Sequence, residues 1–167
     1  SSEPALSFEY ALDVLRHADA AGLGSAFITN GYMSEEALRT LAPYLGAVRI
    51  DLKAFSDTFY RTVCGAHLEP VLQTILLAKE LGLHLELVTL IIPGYNDSTE
   101  EIDAMLSWET EHLGTLVPHH FTRVLTDVPD GKRPVHSQRY AGAGVCAGKR
   151  ARTCLSVSRK HYARCGI

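Results

Sequence analysis

Val48 to Phe55 reads VRIDLKAF, and the fold follows from how those eight residues are taken. The first part continues an apolar strand, AVRI. Asp51 and Lys53 then follow two residues apart, and SDTF opens a helix with Ser56 as its cap. Side chains alternate along a strand, so positions i and i+2 share a face. An acid and a base therefore sit together where a core strand ends. Burying charges there is costly unless they are paired, so the pair is either a salt bridge closing the strand or part of a binding rim.

Working outward, the same alternation of elements recurs on both sides. SFEYALDVLRHADAAGLG carries Phe8, Ala11, Leu12, Leu15 and Ala18 at helical spacing and ends on Gly22 and Gly24. SAFIT is a short strand closed by NGY. SEEALRTLAPYLG is a helix capped by Ser34, with two acids in its first turn. LEPVLQTILLAKELG is a long helix with Pro70 in its first turn, and LHLELVTLII is a strand followed by the turn PGYND. STEEIDAMLSWETEHLG opens with a capping box, Ser98 and Glu101, and LVPHHFTRV is a last strand. Helices and strands in strict alternation with short loops argue for parallel strands joined by right-handed crossovers. The expected class is α/β, as an open sheet or as part of a (β/α) barrel, since four strands do not close one.

The 167 residues suffice for one ordinary domain with a core. Apolar residues make up 46% and charged residues 21%, which excludes a disordered or fibrous chain. No apolar run reaches the ~18 residues a membrane span needs, and no secretory signal is visible. The chain opens on SSEP without Met, so an upstream segment is expected to be missing. Residues 1–128 hold 7 basic and 18 acidic side chains, a balance of −11, whereas 129–167 hold 9 basic and one acidic, a balance of +8. The boundary near 128 separates the alternating domain from an irregular basic tail with no period of 2 or 3.6. The tail reads as a shifted reading frame or as a basic arm for an anionic partner. Cys64, Cys146, Cys154 and Cys165 form no C-x-x-C pair, which points to reduced thiols rather than a disulfide framework, and a zinc site built from the last three with His161 lacks close ligand spacing.

In parallel α/β folds ligands bind where the strands end. Those ends offer Thr29, Asn30 and Gly31, then Asp51 and Lys53, then Pro93, Gly94, Asn96 and Asp97, with His119 and His120 in the fourth strand pointing to opposite faces. Ser1-Ser2-Glu3-Pro4 precedes the first helix, where an upstream strand would end. Taken singly, TNG and PGYND are turns that fix loops, a lone histidine is more often structural than a ligand, and Glu3 is a first-turn helix acid.

In series the motifs S-x-E-P with FEYA, ITNGY, IDLKAF with FYR and CG, EPVLQTI and IPGYNDS carry more. Over residues 2–123 they resemble the radical S-adenosylmethionine (SAM) enzymes. Within these the chain resembles the branch similar to pyruvate formate-lyase-activating enzyme, and most of all the AmmeMemoRadiSam-system radical SAM proteins. The resemblance implies an incomplete (β/α)6 partial barrel of which this chain supplies the later strands. It implies that Glu3 matches the acid of G-G-E-P that meets the SAM ammonium, with Ser1-Ser2 in place of the glycines. Thr29 and Asn30 match the strand end near the ribose and carboxylate. Relatives can carry an acid just before that threonine, where this chain has Ile28. Asp51 and Lys53 match the D-x-K contact to carboxylate and ribose, Leu90 falls in the strand lining the adenine, and His120 matches a histidine near the adenine pocket. A zwitterionic head group needs an acid for its ammonium and donors for its carboxylate, which Glu3 and Lys53 supply.

The family's cofactors are SAM and a [4Fe–4S] cluster held by C-x-x-x-C-x-x-C, which generate a 5′-deoxyadenosyl radical. That cysteine motif is absent here, and in the family it lies upstream. The resemblance therefore implies a fragment of a cytoplasmic enzyme, inactive alone. Its intact parent takes electrons from a reductant such as flavodoxin or ferredoxin and acts on an unidentified substrate, a protein if it is an activase. Neither a membrane nor a nucleic acid is expected as partner. A non-enzymatic SAM- or nucleotide-binding domain is the alternative. A Schiff-base lyase using Lys53 is a third, set back by Asp51 alongside, which favours the charged amine.

Overall fold

Residues 3–123 and the pair Leu155–Ser156 are described by the structure, a computed structural model. The basic segment 129–167 otherwise lies outside the described residues, as does the boundary near 128. After a 3-10 turn at Pro4–Ser7 come α1 (Phe8–Ala20), β1 (Ala26–Thr29), α2 (Glu35–Leu41), β2 (Ala47–Asp51), α3 (Asp57–Phe59) running into a π-helical turn at Tyr60–Cys64, α4 (Leu68–Glu80), β3 (His84–Ile91), α5 (Thr99–His112) and β4 (His119–Arg123). The strands lie in the order β1-β2-β3-β4, all parallel. A two-residue β5 (Leu155–Ser156) pairs antiparallel with His120 and Phe121. No element is expected there from the sequence, because two paired residues leave no periodic trace.

Period-2 alternation decides what each strand buries. Phe27 and Thr29 of β1, Val48 and Ile50 of β2, Leu85, Leu87 and Thr89 of β3, and His119 of β4 all turn to the buried face. Register confirms the grouping: Thr29 pairs with Ile50, Ile50 with Leu87 and Leu87 with His119. Leu12 and Leu15 of α1, Leu38 and Leu41 of α2, Val71 and Ile75 of α4 and Met105 of α5 complete that core. Each such side chain contributes about 1.5–3 kcal/mol on leaving water. The opposite face carries Ile28, Arg49, Glu86, Val88, Leu90 and His120, and Ile28 and Leu90 are 51% and 40% exposed. Parallel sheets ordinarily cover both faces. Here, among the described residues, helices cover only one, as in a barrel wall seen without its remaining strands.

Local chemistry sets the ends of the elements. Ser34, Ser56 and Ser98 each accept a backbone N–H from the first turn of their helices. The capping box at Ser98 is only half made. Ser98 Oγ accepts from Glu101 N–H at 3.2 Å, but Glu101 Oε1 reaches instead to the Phe55 N–H at 2.8 Å. Ser98 is exposed and water can serve it, whereas the half-buried Phe55 amide needs a protein acceptor. Gly31 closes β1 with φ +74°, and a Cβ there would meet Ile50 Cγ2 at 2.7 Å and Val71 Cγ1 at 3.2 Å, so both backbone and packing demand glycine.

Candidate functional site

Register brings the charged strand end of β2 into one row with the other strands. Asp51 pairs with Val88 and Val88 with His120, so these three cross the open face side by side. Asp51 and His120 are thus two strand spacings apart, roughly 10 Å. The next row toward the strand ends holds Leu90 beside Thr122, and Lys53 lies just beyond β2 on the same parity as Asp51. Four of the sequence-derived residues, Asp51, Lys53, Leu90 and His120, therefore share the open face toward its C-terminal edge.

Lys53 Nζ donates to Asp51 Oδ2 at 2.7 Å, with the side chains 39% and 31% exposed. An ion pair this accessible contributes only about 0–1 kcal/mol to stability. Its placement is thus poorly explained by folding, and two ammonium donors remain for a ligand. The same bond ties up the amine that a Schiff-base role would need free.

Glu3 gathers the neighbouring strand end. Its Oε1 accepts from Thr29 Oγ1 at 2.6 Å and from Ala5 N–H at 3.2 Å, and its Oε2 accepts from Asn30 N–H at 2.7 Å. A carboxylate offers about four acceptor positions, so one remains for an ammonium. Thr29 is 2% exposed and its hydroxyl is spent on Glu3 and on the Gly31 N–H, which places it beneath Glu3 rather than on the open face. Asn30 Oδ1 accepts from Tyr32 N–H at 2.8 Å and shapes the turn. His120 Nε2 lies 3.1 Å from Glu86 Oε2, and His84 meets the other oxygen at 3.2 Å. The His84 hydrogen bond holds the Glu86 carboxyl below its ordinary range, partial burial opposes this, and His120 adds to the lowering.

The backbone that carries Lys53 is held from several directions, and this is what sequence reasoning missed. Lys53 N–H donates to the Tyr60 hydroxyl oxygen at 3.0 Å, Lys53 C=O accepts from Asn96 Nδ2 at 2.6 Å, and Phe55 N–H goes to Glu101. Leu52 C=O accepts from the buried Thr89 hydroxyl. Thr89 has spent its proton on that carbonyl, so its oxygen accepts from His119 Nε2–H at 2.8 Å. His119 Nδ1 meets Glu109 Oε1 at 2.8 Å, with the two side chains 1% and 9% exposed. One proton therefore lies between Nδ1 and Oε1, and the file Glu109–His119–Thr89 ends on the carbonyl next to Lys53. The signal for His119 was strand alternation. Glu109 stands four residues after buried Met105, hence on the buried face of α5.

Burial pushes the Tyr60 hydroxyl up to about 12 from its ordinary value of 10.0. The folded value is the higher one, so this group's contribution is whole below about pH 10 and is lost as pH rises toward about 12. Tyr60→Phe is expected to remove that alkaline step. It should also cost about 1–3 kcal/mol at neutral pH by leaving the Lys53 N–H without its acceptor. Urea unfolding of both proteins across the alkaline range, with ultraviolet titration of tyrosinate, checks this; an unchanged alkaline step would contradict it.

Among the described residues no group of three His, Cys, Asp or Glu side chains is placed to hold a metal. No helix among them is long and apolar enough to cross a membrane.

No family model matches the chain. An uncharacterized protein of Methanocaldococcus jannaschii is 40% identical over 133 residues, covering 77% of this chain and 39% of that protein. The isethionate sulfite-lyase activating enzyme of Desulfovibrio desulfuricans is 30% identical over 123 residues, covering 71% and 39%. The chain thus spans about two fifths of the length of these relatives. Among solved structures, a domain of pyruvate-formate lyase-activating enzyme from Bacteroides vulgatus superposes with TM-score 0.62 at 22% identity, over 67% of this chain and 70% of that one. A radical SAM methyltransferase from Sphaerobacter thermophilus gives 0.57 at 16%, over 72% and 37%. Streptococcus suis SuiB bound to S-adenosylmethionine gives 0.55 at 12%, over 71% and 27%. The chain has the α/β partial-barrel fold of radical SAM proteins, and its sequence likeness extends to an activating enzyme.

Proposed function

We propose that the chain is the later-strand portion of a radical SAM enzyme and holds S-adenosylmethionine on the open face of β2, β3 and β4. One observation carries this: Asp51, Lys53, Leu90 and His120 share that face toward its C-terminal edge, with Glu3 at the adjoining strand end. The donor set fits the ligand. The spare acceptor of Glu3 suits the ammonium, the two spare donors of Lys53 suit the carboxylate and a ribose hydroxyl, and exposed Leu90 offers an apolar edge to the adenine. SAM supplies hydrogen-abstracting radical chemistry when bound with an electron source.

The described residues do not fit a [4Fe–4S] cluster. In this reading its ligands belong to a part of the parent outside this chain, as the two-fifths span of the relatives suggests. The motif series favours the AmmeMemoRadiSam-system branch, with a small reductant protein as the parent's electron donor and this piece inactive by itself. What the residues here do is bind and orient: Glu3 and Lys53 grip opposite charges of the amino-acid head, and Asp51 orients Lys53.

Titrating the chain with SAM in a calorimeter tests the reading. Saturable one-to-one binding with Kd on the order of 100 µM is expected, equivalent to about 5–6 kcal/mol, with S-adenosylhomocysteine competing. Absence of binding at millimolar SAM would reject it.

A further inference from the structure

We propose that Asn96 is a positioning residue that fixes the separation of Lys53 and Leu90, and so of the head-group and ring ends of the bound ligand. The ligand's identity rests on the function proposed above; the clamp itself does not. Asn96 follows β3 in the turn PGYND and is 1% exposed. Its Nδ2 donates to Lys53 C=O at 2.6 Å and to Leu90 C=O at 3.0 Å, and its Oδ1 accepts from Ile92 N–H at 2.7 Å. One planar amide thus joins the end of β2 to the end of β3, beyond the last bridged pair of those strands, Asp51 with Val88. Past that pair the two strands share no ladder, so the amide takes over where the sheet stops. The two residues it joins are those assigned to opposite ends of the ligand. A ligand that bridges two subsites gains only if their spacing is set in advance.

The position demands asparagine. It needs two N–H donors and one acceptor in a single short planar group that is 1% exposed. Aspartate would keep the bond to Ile92 but turn an oxygen toward two carbonyl oxygens. Alanine would leave all three backbone groups without their partner.

The test pairs amide exchange with ligand binding in the whole chain, using Asn96→Ala and Asn96→Asp. In N96A, exchange is expected to quicken at least about tenfold at Ile92, whose N–H loses its acceptor, and at Lys53, whose N–H stays on the Tyr60 hydroxyl but whose strand end is freed at its carbonyl, while Phe27 and Val48 in the core keep their rates. In N96D the Lys53 amide quickens and Ile92 stays protected. For binding, N96A is expected to lose about tenfold in affinity for SAM but less than about twofold for L-methionine, which reaches only the Lys53 side. A merely structural role would lower both affinities together. Wild-type exchange rates at Lys53 and Ile92 in both variants would overturn the clamp. Equal losses for SAM and methionine, or none for SAM, would overturn its role in ligand spacing. If the wild type binds no SAM, the proposed function fails and the exchange rates alone decide the clamp.

Discussion

Lys53→Met is expected to weaken SAM binding by about 10- to 100-fold while leaving the unfolding midpoint nearly unchanged. The two halves of this result come from different magnitudes. A charge-assisted hydrogen bond to a carboxylate is worth about 1.5–3 kcal/mol, which converts to that range of affinity. The Lys53–Asp51 pair, 39% and 31% exposed, contributes only about 0–1 kcal/mol to folding. Methionine keeps the apolar length of the side chain, so the comparison isolates the charge. Lys53→Arg should recover only part of the affinity, because a planar fork does not reproduce a compact ammonium held against Asp51. Calorimetric titration with SAM, alongside thermal melts, reads both halves. Unchanged affinity in K53M would remove Lys53 from the site, and a large fall in melting temperature would make the pair structural.

The largest expected loss of stability lies behind the site. Glu109→Ala should cost about 3–5 kcal/mol, the usual consequence of removing one partner from a buried pair. His119, 1% exposed, would lose its partner at Nδ1. Glu109→Gln separates the charge from the hydrogen bond. The glutamine amide can donate to Nδ1 of a neutral imidazole that keeps its proton on Nε2 and still donates to Thr89, so the loss should shrink to about 1 kcal/mol. Urea unfolding of the three proteins at neutral pH measures this. Equal losses in E109A and E109Q would show that the carboxylate itself, rather than a donor at that point, holds His119. Since Thr89 passes the contact to Leu52 C=O, E109A should also loosen SAM binding more than its distance from the open face suggests.

The parallel sheet and the facing of side chains within each strand were legible because each rests on local repetition, whereas the row across β2, β3 and β4 came from register between strands. Alternation set Asp51 and Lys53 on one face and separated His119 from His120, and the Ser34, Ser56 and Ser98 caps fixed the helix starts. What alternation cannot show is a side chain that serves backbone far away in sequence. Glu101 has a strong local partner in Ser98 and is spent on Phe55, 46 residues away. Asn96 sits in a stretch rich in turn formers, and nothing local distinguishes a loop fixture from a bridge to residue 53, 43 positions back. The place of Thr29 was likewise hidden: the strand end was evident, but not that Glu3 would fold over it and occupy its hydroxyl.

Isotope-edited NMR of the uniformly labelled chain titrated with SAM tests the central claim most directly. Saturable shifts are expected at Asn30, Asp51 to Phe55, Leu90 and His120, with the outer faces of α1, α2 and α4 unchanged. Shifts confined to those helices, or none at saturating SAM, would contradict the assignment of the open face of β2, β3 and β4 as a SAM site.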